Sequence, residues 1–168
     1  MTDGDLKIYK IPQSVLVLIH TVDLEVLLIE RADMPTFWQS VTGARASMEE
    51  SLVDTAAREV FEETGIRVVK EASGQVLADN EVTDDNLTDW QIKNQYEIYP
   101  AWLSRYAPGV TINTEYVFGL CVPRNIRVTL NPQEHLNYVW LPYREAASTC
   151  FSTANESALL LLPERMRG

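Results

Sequence analysis

Arg58-Glu59-Val60-Phe61-Glu62-Glu63-Thr64-Gly65 is the stretch on which the reading of this chain turns. Taken as a helix, it sets Glu59 and Glu63 four residues apart and Glu62 three from Glu59, so the three carboxylates share one face. Within the helix only Arg58, four residues before Glu62, is spaced to offset them. One arginine cannot neutralise three carboxylates. Glu62 and Glu63 also fall in the last turn, before a glycine placed as a C-terminal cap. Negative charge there opposes the helix dipole at a cost of roughly 0.3–1 kcal/mol each. Local rules broken twice in one turn point to a compensating group, and a divalent cation fits.

Working backwards, Ser47-x-x-Glu50 has the form of a capping box, with Ser51 as an alternative cap. Val53, Ala56, Ala57 and Val60 recur at helical spacing and form the expected buried stripe. The glutamates lie beside this stripe, at the edge of a groove. Upstream, Val15 to His20 and Val26 to Glu30 are short apolar runs that read as paired strands, and Trp38 to Thr42 reads as a third strand ending at Gly43. Downstream, Ile66 to Val69, Tyr96 to Trp102, Tyr116 to Val122 and Val139 to Leu141 read as further strands. Ala146 to Thr149 and Glu156 to Leu162 supply a C-terminal helix with a turn near Phe151. The acidic stretch 71–94 has weak patterning and reads as a surface loop. The expectation is a single domain over 1–168, of mixed α/β class.

The chain has 168 residues, enough for one full core. Its net charge of −10 argues against a nucleic-acid binder with a basic surface. It leaves room for a phosphate substrate, because a metal ion can supply the positive charge that side chains lack. No apolar run approaches membrane-span length. The N-terminus lacks a signal pattern, and two cysteines make no disulfide framework. A cytoplasmic protein is expected, and nothing in the sequence speaks to oligomeric state.

Gly43, six residues, Glu50, seven residues and then Arg58 to Ile66 together resemble the signature of the Nudix hydrolases. Every fixed position from Glu50 onward agrees. The departures are one extra residue between Gly43 and Glu50 and the absence of the second glycine of that loop. The resemblance implies a mixed β-sheet sandwiched between helices and a Mg²⁺-dependent enzyme, with Mn²⁺ as a substitute. Glu59 and Glu63 are then the principal metal ligands, with Glu62 contributing directly or through water. Arg58 pairs with Glu50 and orders the loop against the helix. Hard carboxylate oxygens completed by substrate phosphates are what Mg²⁺ prefers.

Further blocks are similar to the branch of that family that removes pyrophosphate from dihydroneopterin triphosphate. They are Tyr9-Lys10, Phe37 to Gly43, Arg105-Tyr106-Ala107-Pro108-Gly109 through Glu115, and Glu134-His135-Leu136 through Leu141. The resemblance implies a small-molecule triphosphate substrate, with dATP as a side substrate. It makes Glu115 a further carboxylate at the metal, and leaves Glu115 and Glu62 both open as general base. Lys10 and Arg31 become triphosphate contacts. Thr42, the strand Tyr96-Glu97-Ile98-Tyr99 and Ser152 border the substrate. His20 and His135 read as structural, and Cys121 as a core residue. Two alternatives stand: a broader nucleoside triphosphate or dinucleoside polyphosphate hydrolase, and a non-catalytic binding module of the same fold.

Overall fold

Val15, Leu16, Val17, Leu18 and Ile19 are all buried, so both faces of their strand are covered. The computed structural model describes residues 8–167 and places this strand, β1 (Gln13–His20), at the centre of a mixed sheet. The other strands are β2 (Glu25–Arg31), β3 (Trp38–Gln39), β4 (Val41–Ala44), β5 (Arg67–Val69), β6 (Glu81–Thr83), β7 (Leu87–Glu97), β8 (Ile112–Cys121) and β9 (His135–Pro142). The helices are α1 (Leu52–Thr64), α2 (Tyr143–Thr149), α3 (Thr153–Leu160) and α4 (Leu162–Arg167).

β1 runs parallel to β8 along its whole length, with Ser14 opposite Glu115. Its other edge is shared: β4 pairs with Ser14 to Val17, and β2 joins only at His20. β9 lies antiparallel to β2, and β7 closes the far side against β8. Val15, Val17 and Ile19 point towards α1, into a core with Leu27, Ile29, Ala56, Val60 and Phe118. Leu16 and Leu18 point the other way, into a core with Val26, Leu28, Ala146, Leu159 and Leu162. The mixed sheet thus lies between helices. β5 and β6 form a small parallel pair beside the α1 core.

Several elements differ from the sequence reading. The stretch 71–94 is not a continuous loop, since it contains β6, a 3₁₀ turn at Asp84–Asn86 and most of β7. β7 is an edge strand with outward polar residues. A bulge between Asp89 and Ile92, with Gln91 at φ 59°, interrupts its alternation. The strand expected through Trp102 stops at Glu97, because Pro100 has no N–H for a ladder and opens a 3₁₀ turn, Pro100–Arg105. The strand expected over Trp38 to Thr42 is two, β3 and β4, with buried Ser40 between them. Ser51 caps α1 by accepting from the Asp54 N–H. Val53 is exposed, and Leu52 packs against the core in its place.

Candidate active site

α1 ends as its sequence requires. Gly65 takes the left-handed conformation at φ 72° and its N–H closes on the Phe61 carbonyl. The last two turns carry the acidic face to the rim of a cleft of about 590 Å³ lined by Glu59, Glu62 and Glu63. Arg58 is shared among its neighbours. Its Nε and Nη2 fork onto the two oxygens of Glu50 at 2.8 and 3.0 Å. Nη1 donates to Glu59 at 2.9 Å and to Glu62 at 3.1 Å, and Nη2 also reaches the Ala44 carbonyl at 2.9 Å. The fork holds the Glu50 carboxyl down to about 2. Glu50 also accepts from the Ala46 N–H and the Thr55 hydroxyl, which ties the loop to the helix despite its extra residue.

Glu59 and Glu63 are held differently. Burial pushes Glu59 up to about 7, against the pull of Arg58. Glu63, only 5% exposed, is raised well above the usual carboxylate range by burial and by Glu59. Among the described residues its one hydrogen-bond donor is the Thr42 N–H, 3.2 Å away on β4. Two desolvated carboxylates with so little positive charge between them form a place for a cation.

A third carboxylate lines the cleft beside these two, and Glu115, expected at the metal, is not part of that lining. Glu115 is buried on β8, pushed up to about 7 by desolvation, and turned towards the Thr42 hydroxyl. One of its oxygens has no hydrogen-bond partner among the described residues, and it does not line the cleft. Glu134, just before β9, does line the cleft and raises both Glu59 and Glu63 electrostatically. Ligand atoms of Glu63, Glu134 and His135 lie within 4.8 Å of one another. His135 Nε2 is 3.9 Å from Glu63, and its buried Nδ1 lacks a hydrogen-bond partner among the described residues. Burial, helped by Arg31, pushes His135 down to about 4, which favours the neutral imidazole that binds metals. The carboxylate oxygens of Glu59, Glu63 and Glu134 suit a hard divalent ion, and the imidazole also suits Mn²⁺.

The opposite wall is basic. Lys10, Arg31 and Arg105 line it, with Asp33 as their acidic neighbour. Arg31 forks onto Asp33 with two bonds of 2.7 Å and lies 4.7 Å from the Trp102 ring. Tyr96 also lines the cleft, its hydroxyl accepting from Asn113 at 3.0 Å.

Four expected substrate residues fall outside the cleft lining. Glu97 is exposed at the end of β7, and Ile98 is buried with its N–H on the Thr111 carbonyl. Tyr99 leaves the strand and packs on Trp102, with ring centroids 5.4 Å apart. Ser152 caps α3 through the Asn155 N–H. The sequence reading assigned no site role to Glu134, His135, Trp102 or Arg105. An acid beside a histidine in Glu134-His135 was the available signal, but only the β9–β2 pairing brings it to Glu63.

Comparison with known proteins gives a consistent result. The NUDIX domain family matches residues 10–161. The chain is 40% identical over 154 residues to the dihydroneopterin triphosphate diphosphatase of Escherichia coli, covering 91% of this chain and 93% of that one. It is 34% identical over 152 residues to the Haemophilus influenzae protein of the same name, covering 90% and 87%. The solved structure of the E. coli dihydroneopterin triphosphate pyrophosphohydrolase superposes with a TM-score of 0.75, over 91% of this chain and 95% of that one.

Proposed function

We propose that this chain, which belongs to the Nudix family, is a Mg²⁺-dependent pyrophosphohydrolase that converts dihydroneopterin triphosphate to dihydroneopterin monophosphate and pyrophosphate. One observation carries the reading: a cleft with an acidic wall of Glu59, Glu63 and Glu134 and a basic wall containing Lys10 and Arg31. A phosphate chain bridging a cation and two basic side chains satisfies both walls. The two relatives with that activity in their names support the choice of substrate.

Glu59, Glu63 and Glu134 would hold the cation, with His135 beside them. When bound, it neutralises charge on the phosphate oxygens and lowers the pKa of an attacking water. The chain's own residues do the positioning. Arg58 orients Glu59 and Glu62 while anchored to Glu50, and the Thr42 N–H fixes Glu63. Lys10 and Arg31 draw the phosphates and hold their charge. Glu62, exposed on the cleft wall, is the carboxylate we assign to take the water proton. Glu115, outside that wall, is too enclosed to receive it directly. Tyr96 borders the pterin end. The free thiols Cys121 and Cys150 agree with a cytoplasmic site of action.

The test is turnover of dihydroneopterin triphosphate, dATP and a diadenosine polyphosphate, with and without Mg²⁺, read as pyrophosphate released. The pterin should be the best substrate and require the cation. Faster cleavage of dATP by a wide margin would reject the assignment.

A further inference from the structure

The basic wall holds more charge than Lys10 and Arg31 supply, in a chain whose net charge is −10. Arg105 ends the 3₁₀ turn Pro100–Arg105 and lines the same cleft. Its main-chain carbonyl accepts the Lys10 N–H at 2.8 Å, so the two residues are tied side by side. The Lys10 amine is lowered first by burial and next by the positive charge of Arg105. Asp33 is the acidic group that meets both arginines, and Arg31 holds it with a two-bond fork. Arg105 reaches Asp33 only at 3.9 Å, with its side chain 46% exposed. Glu59 and Glu63 across the cleft pull on Lys10 as well, but on this wall three cations share the single carboxylate of Asp33, and a cation held by the glutamates leaves that excess for an anion to relieve.

Trp102 sets the spacing. The guanidinium carbons of Arg31 and Arg105 lie 4.7 and 5.9 Å from its ring centroid. The half-buried indole, backed by Tyr99, is a platform on which both guanidinium groups rest.

We propose that Arg105 is a third phosphate-binding residue of this cleft, and that Trp102 is the positioning residue that presents Arg31 and Arg105 together to a polyphosphate chain. The inference rests on the reading of the cleft as a triphosphate site and extends it. Three cations lining one cleft reward a longer phosphate chain over a shorter one, which makes Arg105 a determinant of chain length.

Steady-state kinetics and binding of inorganic tripolyphosphate test this in the intact protein. Arg105→Ala should raise KM for the triphosphate substrate about tenfold or more and weaken tripolyphosphate by a similar factor, with kcat changed far less. Arg105→Lys should recover part of the loss, because charge returns without the fork. Trp102→Leu should move KM in the same direction, and Trp102→Phe should largely restore it. Arg124→Ala, on the exposed ion pair with Asp23, is the control and should leave KM unchanged.

Unchanged KM and unchanged tripolyphosphate affinity in Arg105→Ala would overturn the proposal. A wild-type protein that hydrolyses no triphosphate, yet binds tripolyphosphate in an Arg105-dependent way, would instead reject the proposed reaction and uphold this inference.

Discussion

The Glu59 carboxylate fills the space that a Cβ on Gly43 would occupy. The glycine ahead of the helix is therefore required by close approach, since it lets β4 and α1 meet with a carboxylate between them. Gly43→Ala would force Glu59 aside. The displaced atoms are the far end of a flexible side chain, so stability should fall by only about 1 kcal/mol or less. Activity should suffer more, because displacing a positioned group by an ångström costs on the order of 100-fold. Thermal unfolding and kcat/KM measured on one preparation separate the two effects.

Glu134 and Glu115 make opposite predictions. Glu134→Gln should weaken divalent-cation affinity by about tenfold or more, as losing a ligand or its support does. Glu115→Gln should leave that affinity within a factor of about three, since its carboxyl faces Thr42 and lies outside the cleft lining. Calorimetric titration with Mg²⁺ or Mn²⁺ checks both. Equal losses would return Glu115 to the metal.

The Arg58–Glu50 fork predicts an acid limb in stability. The folded Glu50 carboxyl titrates at about 2, below its ordinary value of 4.5. A depressed carboxyl contributes fully above its unfolded value and loses that contribution as pH falls through its folded one. Glu50→Gln should therefore be less stable than wild type at neutral pH. The gap should narrow between pH 4.5 and about 2, as read by urea unfolding.

Asn155 joins α3 to the β3–β4 junction. It accepts from the Ser40 N–H at 2.9 Å and donates to the Ser40 hydroxyl at 3.0 Å, with both residues buried. Asn155→Leu strands a buried N–H at a cost of roughly 2 kcal/mol. Tm should drop by about 4–8 °C, while KM for the substrate should move little.

What was legible in the sequence was what local spacing determines. The octad announced its helix, cap and shared acidic face, because four-residue spacing and a terminal glycine act within one turn. β1 and β2 stood out as apolar runs, being covered on both faces. β7 did not, because one side meets solvent and the Gln91 bulge breaks its period. Glu134 and Arg105 carry no role that local spacing in the sequence signals. Their relation to Glu63 and Lys10 exists only after distant segments have paired.

That dependence has a consequence for assembly. Glu134 is fixed to the end of β2 by the Ala32 N–H on its carbonyl, at 2.8 Å, just where β9 begins its ladder with β2. A chain that stopped after β8 would still carry the entire octad and would lack a complete acidic cluster. The closure joins segments about a hundred residues apart, so its loop-closure entropy is paid before the contacts are gained. Cation affinity therefore reports whether β9 has closed on β2, and so whether the whole chain has come together.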